Sequence, residues 1–143
     1  KAFNFPRAHL DEKNRYNFSF SGLKAAVVRK VRELGAISPK TKADLCASFQ
    51  EAAVEALADK LIAAAQKYDI HEVHLAGGVS ANTRLRELVR ERLPKTMPLI
   101  VPQKLEFCTD NAAMIAGAAH FIKKIPPPRR AGKNIQVMAS CPL

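Results

Sequence analysis

The chain has 143 residues, with 23 Lys and Arg against 13 Asp and Glu, a formal net charge of +10 and 48% hydrophobic residues. That apolar share can bury a core and is too large for a disordered tail, and the length suits one compact domain. No run approaches the roughly 20 apolar residues that span a bilayer, and Lys1 to Leu10 carries no signal-peptide apolar segment, so the chain reads as soluble, intracellular and cytoplasmic.

Residues 1 to 20 are rich in Asn, Arg, Phe and Pro and hold no sustained period. Phe18 and Phe20 alternate with Ser19 and Ser21, which predicts an extended segment ended by Gly22. From Leu23 the apolar residues Val27, Val31 and Leu34 follow at helical spacing, predicting a helix capped by Ser21 and closed at Gly35. Ser38 and Pro39 open a long alanine-rich helix with one stripe of Leu45, Phe49, Ala52, Ala53, Ala56, Leu57 and Leu61, running to about Tyr68. Val73 to Ala76 reads as a short strand, Gly77 and Gly78 as a turn, and Leu85, Leu88 and Val89 as the apolar face of a helix. A second strand is predicted at Leu99 to Val101 between two prolines, and a last helix from Asp110 to Lys124, before three prolines and a basic tail.

Strands alternating with helices predict an α/β fold with a parallel sheet. Two readable strands are fewer than a parallel sheet needs to cover its faces and edges, so the chain looks like part of a larger sheet. Three segments follow: an extended N-terminal stretch plus helical insertion at 1–69, an α/β core at 70–125, and a Pro-rich basic tail at 126–143.

Chemistry concentrates where strands hand over to helices. At Gly77, Gly78, Val79, Ser80, Ala81 and Asn82 the backbone N–H groups and the positive end of a helix dipole meet, an arrangement that suits an anion. Glycine lets a ligand reach the main chain, and Asn82 offers donor and acceptor to a sugar or phosphate. On spacing alone, a tight strand-to-helix turn with Ser80 as N-cap is the better reading. Cys108, Thr109, Asp110 and Asn111 occupy the matching position after the second strand, at the end where parallel sheets bind ligands. Asp110 can ligate a metal there, and Thr109 or Asp110 can equally cap the last helix.

Other constellations carry less. His71 and His74 are spaced three apart, which on a strand sends them to opposite faces. The cysteines Cys46, Cys108 and Cys141 are odd in number and unpaired in spacing, which argues against a disulfide framework. No phosphate-loop, Ser-His-Asp or paired-carboxylate signature is present, which disfavours a self-contained hydrolase. The basic excess fits either a polyphosphate partner or, since the charges are mostly scattered, a merely solvated face, with small clusters at Arg84, Arg86, Arg90 and Arg92 and at Lys123, Lys124, Arg129, Arg130 and Lys133.

Taken together, Phe18 to Lys24 (FSFSGLK), Ala76 to Arg86 (AGGVSANTRLR) and Glu106 to Ala116 (EFCTDNAAMIA) closely resemble the C-terminal half of the tRNA N6-adenosine threonylcarbamoyltransferase family, formerly called the glycoprotease or O-sialoglycoprotein endopeptidase family. The resemblance implies an actin/Hsp70/sugar-kinase type fold (RNase H-like), with this chain supplying most of the second lobe and the N-terminal lobe absent. It implies transfer of a threonylcarbamoyl group from threonylcarbamoyl-AMP to N6 of adenosine 37 in tRNAs reading codons that begin with A. By the same resemblance Asn82 contacts the nucleotide, with Gly77, Gly78 and Ser80 beside it, and Asp110 ligates a divalent metal, iron or zinc. An adenylate, threonylcarbamoyl-AMP or ATP, is the expected bound nucleotide. Expected partners are tRNA, contacted by Arg84, Arg86, Lys123 and Lys124, the missing N-terminal half, a paralogous partner of the same fold and a small ATPase, with no membrane.

The family's H-x-x-x-H metal ligands, its S-G-G-H-T loop and an Asp-Gly pair belong to its N-terminal half and do not occur here, so the isolated chain is expected to be inactive and to hold metal poorly. A non-catalytic nucleotide-binding or interaction fragment of the same fold is the alternative. A metalloendopeptidase is a weaker one, because H-E-x-x-H is absent.

Overall fold

Ser38 and Pro39 set the longest element in place. The Ser38 side chain accepts a hydrogen bond from the Thr41 N–H, and Pro39 fills the first helical position, where no N–H is needed. The helix that follows, α2, spans Pro39–Lys67, 29 residues and about 43 Å. It ends where Tyr68 donates back to the Ala64 carbonyl and Asp69 turns into the left-handed region at φ 47°. The computed structural model describes residues 2–7, 13 and 15–121, the side chains of 119 and 121 excepted. The chain divides into two units, Lys1–Thr109 and Asp110–Leu143.

Opposite sides of α2 serve two separate cores. Leu45 and Ala52 pack with Phe5, Leu23 and Ala26, whereas Val54, Ala58 and Ala65 pack with Val73, Leu85, Leu88, Val89 and Leu93. Nine residues at about 100° each carry Val54 halfway round the helix from Leu45. The single stripe expected for this helix is therefore two faces, and Phe49, read as part of that stripe, lies 43% exposed. Alanine is compatible with either side, which is why spacing did not separate them.

The N-terminal segment lies along the first face. The Phe3 N–H donates to the Ser48 hydroxyl at 3.1 Å, and Arg7 reaches both the Glu55 carboxylate (Nε, 2.8 Å) and the Phe5 carbonyl (2.5 Å). Helix α1, Ser21–Leu34, adds Leu23 and Ala26 to the same core. Ser21 is its first residue and not its cap: the Phe20 carbonyl already accepts the Lys24 N–H, so the helix begins one residue earlier. Gly22 is consequently helical, and Gly35 closes the helix at φ 63°. Phe18 and Phe20 stack at 6.5 Å, but residues 17–20 join no sheet, and the predicted extended segment ends at Phe20, whose backbone is already in the helical region at φ −112° and ψ 0°.

The second face carries a βαβ unit. Strand β1 (Val73–His74) and strand β2 (Leu99–Ile100) pair in parallel, Val73 opposite Leu99, and helix α3 (Thr83–Arg92) connects them. The Val73 and Leu75 N–H groups donate to the Pro98 and Ile100 carbonyls at 2.9 and 3.0 Å. The coarse expectation of α/β structure with a parallel sheet is met, as a two-strand sheet among the described residues. No helix among them is long and apolar enough to cross a membrane. In the second unit, helix α4 spans Ala112–Phe121 and is capped by Asn111, whose side chain accepts from the Met114 N–H at 3.0 Å. The cap falls on neither Thr109 nor Asp110, because Asn111 is the residue whose oxygen reaches that first-turn donor. Lys123, Lys124, the 126–143 tail and Cys141 lie outside the described residues.

Leu88 is 4% exposed where α3 meets α2. Leu88→Ala is expected to lower the unfolding free energy by about 2–5 kcal/mol, measured by urea denaturation, and a change under about 1 kcal/mol contradicts this packing.

Candidate functional site

The two parallel strands aim their C-terminal ends at two short 3-10 turns, Gly78–Ala81 after β1 and Leu105–Cys108 after β2. This is the end of a parallel sheet at which ligands bind. Gly77 enters the first turn at φ 79°, a conformation that side-chain-bearing residues avoid, while Gly78 has ordinary backbone. A Cβ on either glycine meets nothing within 4 Å, so the space over both is open to a ligand. Val79 beside them is 62% exposed.

Asn82 ends the turn and starts α3. Its Oδ1 accepts the Leu85 N–H at 2.9 Å, making Asn82 the N-cap in place of Ser80. The intervening 3-10 turn displaces the helix start by two residues from where the serine suggested it. Ser80 lies within the turn, 2% exposed, its hydroxyl without a hydrogen-bond partner among the described residues. It lines a cavity of about 200 Å³ with Phe18, Leu57, Leu75, Val79 and Leu85. The Nδ2 of Asn82 donates to Gln50 on α2 at 3.2 Å. One lone pair and one amide hydrogen of Asn82 remain for a ligand. No acidic residue stands in the first turn of α3, so nothing on the helix itself offsets its positive end.

Two arginines brace this corner. Arg86 donates from Nε to the Ser80 carbonyl at 2.5 Å and from Nη2 to the Cys108 sulfur at 3.3 Å, tying the two 3-10 turns together. Arg84 forms a bidentate pair with Glu51 at 2.9 and 3.0 Å, with Glu91 3.4 Å from its other nitrogen. Donating hydrogen bonds to the Glu51 carboxylate raises the Arg84 pKa above its ordinary value. At the far end of α3, Arg92 pairs with Asp59. Eight residues separate the two pairs on each helix, about 12 Å, so α2 and α3 run side by side in the same direction.

The structure thus brings Gly77, Gly78, Ser80, Asn82, Arg84 and Arg86 to one corner of the first unit. Asp110 is an exposed residue opening the second unit. No group of three or more His, Cys, Asp or Glu side chains that could hold a metal occurs among the described residues, so Asp110 alone does not build a metal centre. His74 bonds Glu72 at 2.7 Å. Gln50 and Glu51, which sequence reasoning did not single out, lie 32 and 33 residues from their partners and share no local motif with them.

A sequence model of the tRNA N6-adenosine threonylcarbamoyltransferase family matches residues 1–117. Proteins carrying that same name are 50% identical over 129 residues in Enterococcus faecalis, 48% over 120 in Thermosipho melanesiensis and 46% over 122 in Thermosipho africanus. These matches take in 85%, 84% and 85% of this chain and 35%, 36% and 36% of the relatives, so the chain spans about a third of the curated relatives' length.

The capping role of Asn82 rests on its side-chain oxygen. Asn82→Ala should cost about 0.5–2 kcal/mol by urea denaturation, while Asn82→Asp, which keeps the capping oxygen, should stay within about 0.5 kcal/mol of the parent. Equal losses in both variants contradict the capping geometry.

Proposed function

The chain belongs to the tRNA N6-adenosine threonylcarbamoyltransferase family, and we propose that it supplies part of the site that moves a threonylcarbamoyl group from threonylcarbamoyl-AMP to N6 of adenosine 37 in tRNAs reading codons that begin with A. The observation that carries this reading is the open glycine corner at the end of β1, with Asn82 presented beside it on the N-terminus of α3. In the transfer, N6 forms a bond to the carbamoyl carbon, the bond from that carbon to the phosphate oxygen breaks, and AMP leaves as N6 loses a proton.

Each residue here binds or orients. Gly77 and Gly78 admit the adenylate phosphate to the backbone, where N–H groups and the helix dipole favour negative charge. Asn82 holds the nucleotide with its remaining donor and acceptor. Ser80 packs beneath the turn, and Arg86 keeps both turns in place, so that the phosphate meets a preformed surface. Asp110 is assigned as one ligand of a divalent metal, iron or zinc, shared with residues of the N-terminal half. The larger fold is the actin/Hsp70/sugar-kinase type, with this chain in its second lobe.

The same reading gives the chain tRNA, the rest of the family polypeptide, a paralogous partner and a small ATPase as partners in the cytoplasm. Phosphate contacts fall to Lys123, Lys124, Arg86 and Arg84. Arg84, with Glu51, Glu87 and Glu91 around it, carries the least uncompensated charge of the two arginines.

Supplied with the N-terminal half and the adenylate donor, the chain should form threonylcarbamoyl-adenosine on tRNA, detected by mass spectrometry, and neither part should do so alone. Asn82→Asp and Asp110→Asn should each lower the yield about tenfold or more. An assembled but inactive mixture, or full activity in both variants, favours a non-catalytic module. Binding of tRNA should weaken steeply between about 50 and 200 mM salt, and an affinity indifferent to salt excludes the basic surface as its site.

A further inference from the structure

Helix α2 reaches the nucleotide corner through two adjacent residues, and they do different work. Glu51 is committed to Arg84 by two hydrogen bonds, which lock this turn of α2 against the first turn of α3. Gln50, next to it, is therefore delivered to a fixed place, where its side-chain oxygen accepts the Asn82 Nδ2 at 3.2 Å.

The Asn82 side chain needs that second contact. The torsion that turns a carboxamide about its last bond is broad, so the cap bond from the Leu85 N–H anchors Oδ1 without setting the plane of the amide. A bond at Nδ2, from a different helix, sets it. Two anchors define the plane of the amide and leave one lone pair and one N–H of Asn82 for a ligand.

From this geometry we infer that Gln50 is a positioning residue of the nucleotide site: its side-chain carbonyl orients the Asn82 carboxamide toward the adenylate, without itself touching the ligand. This rests on the assignment of Asn82 to the nucleotide. Gln50 is exposed, so its substitution leaves both cores intact. Preorganising a hydrogen-bonding group removes an ordering cost from binding, so the effect belongs in affinity for the adenylate and not in the rate of transfer.

AMP is the probe, titrated calorimetrically onto the chain assembled with the N-terminal half. Gln50→Leu should weaken AMP about three- to tenfold, with the thermal midpoint unchanged, and should raise KM for the adenylate with kcat unchanged. Gln50→Glu, which keeps an acceptor, should recover most of the loss. In an Asn82→Asp background, which has no amide N–H to orient, Gln50→Leu should change nothing further. The inference is overturned if Gln50→Leu binds AMP like the parent while Asn82→Asp binds it weakly, or if the two losses simply add. If Asn82→Asp binds AMP like the parent, or the unsubstituted assembly does not bind AMP, the nucleotide assignment of Asn82 fails and this inference fails with it.

Discussion

Everything in the first unit hangs on α2 being buried on opposite sides. One helix closes the core made by the N-terminal segment and α1, and its other side closes the core made by α3 and the strands. Neither partner set offers enough apolar surface to form a core without it, since α1 contributes Leu23 and Ala26 and the sheet contributes short strands. Alanines Ala58 and Ala65 at the α3 contact let Leu85, Leu88 and Val89 seat closely. Burial supplies the stability, at about 1.5–3 kcal/mol for each fully buried large aliphatic side chain.

The ion pairs do something else. Pairs as exposed as Asp59 with Arg92 add little to stability, but the matched spacing of Glu51 with Arg84 and Asp59 with Arg92 admits one register of α3 along α2. A slide of α3 by one turn would separate both pairs and leave Leu85 and Leu88 facing the wrong alanines. Register matters at the glycine turn as well, because the Asn82 side chain that caps α3 through the Leu85 N–H also bonds Gln50 on α2.

That double duty explains the build of the corner. Asn82 caps α3, reaches across to α2 and keeps one donor and one acceptor free, so the start of the helix and the presentation of the amide are a single geometric fact. Gly77 supplies the positive φ that lets the chain leave β1 and turn into the 3-10 segment, and Arg86 fixes that segment by its Ser80 carbonyl and by Cys108. The loop after β2 is thereby coupled to the loop after β1 through a side chain of the helix between them.

Much of this is written locally. Periodicity and capping chemistry place α1, α2, α3 and both strands, because a helix start at Ser38 and Pro39 or a turn at Gly77 depends on residues within a few positions of one another. The sequence by itself also singled out the glycine turn and Asn82 as a candidate anion site, and its motifs carried the family resemblance. Tertiary structure decided the rest: that α2 has two buried faces and not one, that Asn82 and not Ser80 caps α3, and that Gln50, Glu51 and Cys108 belong to the corner. The reason is physical. Alanine does not say which side it buries, a serine and an asparagine two residues apart are both good caps, and partners 22 to 33 residues apart are chosen by tertiary packing, which no local spacing encodes.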